Sequence, residues 1–354
     1  MRRALALARR GWGQTAPNPM VGAVLVKDGV VVGEGFHAKF GAPHAEAMAL
    51  AVAGDLARGA TAYLTLEPCA HEGKTPPCAD ALIAAGVSRV VVAVADPNPV
   101  AQGGAKRLLA AGVAVEFGFE AEEALELNAP FFFAAASPSR PWITLKLAVS
   151  VDGAIASASR EPRWLTGEAA RHYVHRLRAV HDAVAVGVGT ALADDPNLNV
   201  RHGRRPRVAP LRVVFDRTAR LPADSQLART ARRSPTLVVA EQPEAGPVTA
   251  LEQRGVVVLT TSGLADALRA LVERGVRSMF VEGGAQLAQS LLAAGVVDRL
   301  IIFQAPVLLG PGALAAFVEA PSVDRFRVVE RREFGDDLMA VYALNELPSV
   351  AAPT

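Results

Sequence analysis

Short apolar runs, separated by glycine- and proline-bearing turns, alternate with helix-period segments along most of this chain. Val21–Val26 and Val30–Gly33 flank Lys27-Asp28-Gly29, and Asp-Gly at such a junction predicts a β-hairpin. Pro43, the run Ala45–Ala53 and the closing Gly54 predict a helix that starts at His44. Strands are expected at Thr61–Leu66, Arg89–Ala95 and Val113–Phe117, with helices over Ala79–Ala85 and up to Ala111. Asp96-Pro97-Asn98-Pro99 reads as a loop. Strands alternating with helices imply an α/β sheet, largely parallel after the hairpin.

Ser137–Pro141 holds two prolines and no apolar residue, as a linker does. The pattern then resumes. Strands are expected at Ile143–Ser150, Ala183–Val188, Leu211–Phe215, Thr236–Ala240, Val256–Thr260, Ser278–Val281 and Leu300–Gln304. Leu338–Leu344 is expected to close the sheet. Helices are expected at Glu168–Val180 and Gln286–Ala294. This divides the chain into domains at 1–140 and 141–347, with a frayed tail at 348–354.

At 354 residues, 51% hydrophobic and 20% charged, the chain reads as globular and two-domain. With 37 basic and 35 acidic residues the net charge is +2, and no electrostatic pull toward nucleic acid is implied. Arg9 and Arg10 cut the apolar start too short for a secretory signal, and an amphipathic first helix fits Met1–Arg10 better. No run reaches the 18 or so apolar residues of a membrane span. A cytoplasmic location with no membrane partner is therefore expected, with both cysteines reduced.

His44-Ala45-Glu46, Pro68-Cys69 and Cys78 are the most informative residues. One imidazole and two thiolates fill three corners of a zinc tetrahedron and leave the fourth for water. Zinc lowers that water's pKa to about 7, so hydroxide is available at neutral pH. Glu46 is then placed to shuttle protons, as in zinc deaminases of nucleobases. His44 and Glu46 can converge only in a first helical turn. The bland alternatives are a disulfide, two buried core thiols, or a structural zinc with His71 as fourth ligand. The offset of Glu46 favours the catalytic reading.

Two glycine-rich turns stand out later in the chain. Val186–Thr190 lies at a strand end, and Val281–Gln286 runs from a strand into a helix. Backbone amides at such turns can hold a pyrophosphate, although no G-x-G-x-x-G occurs.

Several segments together resemble the bifunctional riboflavin-pathway deaminase–reductase family over nearly the whole chain. They are Pro17–Gly22, His44–Glu46, Thr65–Cys69, Gly73–Cys78, Asp96–Pro99, Ser150–Gly153, Gly189-Thr190, Leu192–Pro196 and Val281–Gly284. The resemblance implies an N-terminal cytidine-deaminase-like three-layer domain and a C-terminal dihydrofolate-reductase-like domain. It implies a zinc ion (Zn2+) and NADPH as cofactors. The implied reactions are deamination of a diaminopyrimidinone ribosylamine phosphate, then NADPH reduction of its ribosyl group to ribityl. By the same resemblance Asn18, His37, His71 and Lys74 line the deaminase substrate, and Arg178, Leu198, Arg201 and Glu282 the reductase substrate. Ala148, Trp164, Thr190, Asp194 and the run Gly284, Ala285, Gln286, Leu287, Ala288, Gln289, Ser290 are implied to meet NADPH. Arg forks suit the substrate phosphate. Pro162 and Arg217 depart from the family, which usually has Ser at both places. The charge of Arg217 suggests a contact with the 2′-phosphate of NADPH.

A homo-oligomer is also expected. Two other readings compete. A deaminase of nucleic-acid bases with an unrelated appended domain would need a basic stripe with aromatics, yet aromatic content is 5%. A structural zinc beside a nucleotide-sensing module would unfold when the metal is removed.

Overall fold

Asp28 and Gly29 both take left-handed backbone angles, φ 50° and 77°. They close the two-residue turn between β1 (Gly22–Lys27) and β2 (Val30–Phe36). The computed structural model describes residues 1–71, 76–136, 139–159, 164–317 and 326–347. Its chain divides into two units, Met1–Ser137 and Pro138–Glu346.

In the first unit, β3 (Thr61–Leu64), β4 (Arg89–Val92) and β5 (Ala114–Phe117) join the hairpin in the order β2-β1-β3-β4-β5. β1 runs antiparallel to both neighbours, and β3, β4 and β5 are mutually parallel. Helices cover both faces. A Cβ on Gly22 would stand 1.9 Å from the carbonyl of Ala4, so helix Arg2–Ala8 lies against that face. On the opposite face a Cβ on Gly33 or Gly35 would stand 2.3 or 2.2 Å from the carbonyls of Ala49 and Ala45. Helix Ala45–Ala53 therefore packs backbone to backbone on β2, and this places its first turn. Leu25, Leu64, Leu82 and Leu108 form the core beneath it. Leu5, Val94 and Phe132 fill the other face. Two helices that the hydrophobic pattern did not announce, Ala121–Leu127 and Ala129–Ala136, complete that second layer.

The second unit holds β6 (Trp142–Val149), β7 (Ala154–Ala156), β8 (Ala183–Gly187), β9 (Leu211–Phe215), β10 (Thr236–Ala240) and β11 (Val257–Thr260). It continues with β12 (Ser278–Glu282), β13 (Arg299–Gln304), β14 (Leu314–Ala315), β15 (Arg327–Phe334) and β16 (Asp337–Ala343). Among the described residues the main sheet runs β11-β10-β9-β8-β12-β6-β13-β16-β15, and β7 pairs with β14. From β11 to β13 every pairing is parallel. Inner strands such as β8 and β10 are buried on both faces, which explains their nearly unbroken apolar runs, whereas the edge strand β11 is partly exposed. Ala183 and Ala185 join one core, while Val184 and Val186 join the other.

Three expectations shift here. Leu338–Leu344 was expected to close the sheet, but Asp337–Ala343 pairs inward with β13 and outward with β15. The edge strand Arg327–Phe334 reads RVVERREF, and its charges hide it from a hydrophobicity scan while protecting the open edge. Val186–Thr190 is not a plain turn, because Val188–Asp194 is already helical. The strand expected over Thr61–Leu66 stops at Leu64, which frees Pro68 and Cys69 to turn into a loop. Two of the five expected linker residues (137–138) and the tail at 348–354 lie outside the described residues.

Asp298 is fully buried. Its carboxylate accepts from Arg140 Nη1 and Nη2 at 2.7 and 2.8 Å, from the Ile143 N–H at 2.8 Å and from Asn345 Nδ2 at 3.2 Å. One side chain thus holds both the entry and the exit of the second unit. No helix among the described residues is long and apolar enough to cross a membrane.

Candidate metal centre and second-unit cleft

His44 is the N-cap of helix Ala45–Ala53, with extended backbone (φ −69°, ψ 161°), and Glu46 lies in the first turn. Cys78 opens helix Cys78–Ala84 after Pro77. Cys69 sits on the loop after β3, where its sulfur accepts the Cys78 N–H at 3.4 Å. His44 Nδ1 faces both thiols, 3.7 Å from Cys69 Sγ and 3.3 Å from Cys78 Sγ. Tetrahedral zinc, with bonds of about 2.3 Å to sulfur and 2.0 Å to nitrogen, sets its ligand atoms about 3.6 Å apart. The donor set therefore fits zinc in type and spacing. Both cysteines are free, so the disulfide alternative falls.

Among the described residues this is the metal-ligand group found, its donor atoms all within 4.8 Å, and His71 is not in it. The fourth position is left without a protein ligand from that set. Glu46 is buried, and its Oε2 has no hydrogen-bond partner. A buried orphan oxygen costs about 1–3 kcal/mol, so it marks a place where a ligand completes the site. Burial pushes the Glu46 carboxyl above the usual range, as a proton shuttle needs. The hydrogen bond from Cys78 holds the Cys69 thiol down to about 4, and the same contact with burial pushes Cys78 up.

His37 is buried beside the centre, its ring edge-on to His44 at 5.6 Å between centroids. With Nδ1 protonated it donates to the Pro43 carbonyl (3.2 Å), and Nε2 then accepts from Asn18 Nδ2 (3.4 Å). Burial lowers its pKa, so the ring stays neutral. His71 Nδ1 is buried without a partner. Lys74 lies outside the described residues.

Glu67 supports this centre and escaped the sequence reading as a functional residue. Its carboxylate accepts the N–H groups of Asp96, Gly103 and Ala105 at 3.2, 3.1 and 3.0 Å. The Ala70 N–H also donates to the Ala101 carbonyl at 3.0 Å. A Cβ on Gly104 would stand 1.8 Å from the Pro68 carbonyl. The Cys69 loop is thereby fastened to the 96–105 segment. The Glu in Thr65–Cys69 was visible, but its long-range partners were not.

In the second unit a cleft of about 1060 Å³ opens along the C-terminal ends of the parallel strands, the usual ligand edge of an α/β sheet. Ala148, Trp164, Thr190 and Asp194 line it. So do Gly284, Ala285, Gln286, Leu287 and Ser290, at the start of helix Ala285–Ala293. A Cβ on Gly284 would stand 3.1 Å from Thr190 Oγ1, so the two glycine-rich segments approach closely enough to form one cradle. Exposed amides at that helix start and this close approach fit a dinucleotide's pyrophosphate. Ala288 is fully buried on the helix face turned to the core, and Gln289 does not line the cleft. A helix shows a ligand only part of its surface.

Arg178, Arg201 and Glu282 line the same cleft. Arg178 Nη2 donates to Glu282 Oε2 at 2.9 Å, its Nε pairs with Oε1, and Nη1 donates to the Asn199 carbonyl at 2.8 Å. Leu198 is buried in the core with a left-handed backbone (φ 50°), so its side chain is not at the cleft surface. Lys146, which sequence reasoning left unassigned, lines the cleft from β6, and burial lowers its pKa. One lysine in an apolar strand gave no signal by itself. Pro162 lies outside the described residues.

The comparisons with known proteins match both halves. The family model of the cytidine and deoxycytidylate deaminase zinc-binding region matches residues 1–94, and that of the RibD C-terminal domain matches residues 141–340. Riboflavin biosynthesis protein RibD of Aquifex aeolicus is 41% identical over 97% of each chain. The solved structure of Acinetobacter baumannii RibD is 40% identical, with TM-score 0.81 over 98% of each chain. A diaminohydroxyphosphoribosylaminopyrimidine deaminase/5-amino-6-(5-phosphoribosylamino)uracil reductase from Thermotoga maritima superposes with TM-score 0.83 at 34% identity, over 98% of this chain and 97% of that one. With a zinc-binding deaminase domain followed by a reductase domain, matched nearly end to end, the chain belongs to the RibD family of riboflavin biosynthesis enzymes.

Proposed function

We propose that residues 1–140 deaminate a diaminopyrimidinone ribosylamine phosphate and that residues 141–347 reduce the ribosyl group of the product to ribityl. The observation that supports the first step best is the unpartnered Oε2 of buried Glu46 beside the His44, Cys69 and Cys78 donors. Zinc held there supplies Lewis acidity toward water. Glu46 would take a proton from water as the water oxygen bonds to the amine-bearing carbon, place it on the adjacent ring nitrogen, and then pass the remaining hydroxyl proton to the amine as the C–N bond breaks and ammonia leaves. The lone pair of His37, steadied by Pro43, orients the Asn18 amide toward the pyrimidine. His71 and Lys74 complete the substrate contacts in this reading.

In the second step NADPH supplies the hydride, and the chain positions it. The Gly284–Leu287 turn with Thr190 holds the pyrophosphate, while Ala148, Trp164, Asp194 and Ser290 bound the rest. Arg201 meets the substrate phosphate, and Arg178 and Glu282 orient its ribose. Leu198 contributes through its backbone, and Ala288 and Gln289 through the helix that carries the turn. The near-neutral charge and low aromatic content favour a small-molecule substrate with no nucleic acid or membrane partner. A cytoplasmic homo-oligomer belongs to the same reading.

Separate assays test it. Glu46→Gln should abolish ammonia release while sparing NADPH oxidation on deaminated substrate, and Arg201→Ala should do the reverse. Loss of both activities in either variant would contradict the division of labour.

A further inference from the structure

Beyond the glycine cradle, on the side away from β6, the reductase cleft bears a charge arrangement that hydride transfer does not require. β9 and β10 are adjacent and parallel, and Arg217 and Glu241 follow their C-terminal ends. The Arg217 carbonyl accepts the N–H groups of Glu241 and Gln242 at 2.9 and 2.8 Å, which pins its backbone. Its side chain is 74% exposed, lines the cleft and meets Glu241 Oε2 through Nε at 3.1 Å. Arg220 lines the same wall, with Nε 3.4 Å from buried Asp216 and its side chain 60% exposed.

The order of the strands says what these groups face. The glycine cradle follows β8 and β12, the latter ending in Glu282, with Lys146 of β6 on one side of it and Arg217 and Glu241 on the other. Neighbouring strands are about 4.8 Å apart, so the ends of β9 and β10 lie roughly 5–10 Å beyond the cradle. A dinucleotide with its pyrophosphate in the cradle and its reactive ring toward Glu282 sends its adenosine ribose this way. Exposed ion pairs hold weakly, and guanidinium groups prefer phosphate in two-pronged geometry.

We infer that Arg217 and Arg220 form the 2′-phosphate site of the cofactor, with Glu241 as a resident carboxylate that the phosphate displaces from Arg217. This rests on the reductase reading and adds the source of its preference for phosphorylated cofactor. The pinned backbone keeps the guanidinium in range, and Glu241 makes the site less welcoming when no 2′-phosphate is present.

Calorimetric titration of the full-length protein with 2′,5′-ADP and 5′-AMP tests this, because the two differ in the 2′-phosphate and neither needs turnover. Arg217→Ala should weaken 2′,5′-ADP about tenfold or more, as losing one charge-assisted contact implies, with 5′-AMP changed less than about twofold. Glu241→Gln should tighten 2′,5′-ADP alone. Equal changes for both ligands, or none in Arg217→Ala, overturn the inference. So does weaker 2′,5′-ADP binding in Glu241→Gln. If the unaltered protein binds neither NADPH nor 2′,5′-ADP, the cofactor reading falls as well. If it binds both and discrimination survives Arg217→Ala, only the assignment of this site falls.

Discussion

Arg178 and Glu282, one on a helix and the other at the end of β12, face each other in a two-pronged ion pair, with side chains only 11% and 15% exposed. Burial raises the Glu282 carboxyl, but the guanidinium outweighs it and holds the acid below its usual range. Removing one partner leaves the other charge largely buried and unpaired, which costs up to about 3–5 kcal/mol. Glu282→Ala should therefore lower the unfolding midpoint of the reductase unit, whereas an Arg178→Met, Glu282→Leu double variant should lie nearer the parent. Urea titration followed by fluorescence compares them, and an equal loss in both would refute the stranded-charge account.

Stripping the metal should silence deamination and leave the first unit folded. Its core, built on Leu25, Leu64, Leu82 and Leu108, is complete without the ligand residues. After treatment with a chelator, ammonia release should vanish while far-ultraviolet circular dichroism and NADPH oxidation persist. Unfolding of the first unit on chelation would favour a structural metal.

Gly104→Ala should loosen the Cys69 loop, because its Cβ would meet the Pro68 carbonyl at 1.8 Å. Overpacking of this kind costs about 1–3 kcal/mol. Zinc content measured by atomic absorption should drop with deamination, and the reductase rate should hold. Full zinc occupancy in the variant would count against that role for the close approach.

Acid should weaken the reductase unit well above the range where carboxylates titrate. Burial, then the charges of Arg178 and Arg201, lower the His175 pKa from 6.5 to about 4. The unfolded chain binds this proton from pH 6.5 downward, and the folded one does not until about 4. Stability is therefore present above 6.5 and is lost as pH falls through about 4. Denaturant midpoints measured between pH 7 and 4 should decline, and His175→Gln should flatten the slope. An unchanged slope would remove His175 as the cause.

Local signals carried much of this molecule. Asp28-Gly29 announced the hairpin, Gly54 ended its helix where expected, and strands Leu211–Phe215 and Thr236–Ala240 matched residue for residue. The zinc donors were legible because their chemistry fixes residue type and offset. Features made by distant partners were not. The pairing of Arg178 with Glu282 spans 104 positions, and Glu67 reaches amides that only the folded chain delivers. Charged Arg327–Phe334 hid a strand, because an edge needs little apolar surface. Ala288 stands in the implied NADPH run, and its burial on the inner helix face was not legible because it depends on what the helix packs against.

Asp298 has a consequence outside catalysis. Because Arg140 and Asn345 grip the same carboxylate, the polypeptide leaves the reductase fold beside the point where it came in. A module whose two ends meet can be cut out whole, re-spliced into another host, or joined head to tail and opened elsewhere, with only a short splice to bridge the gap.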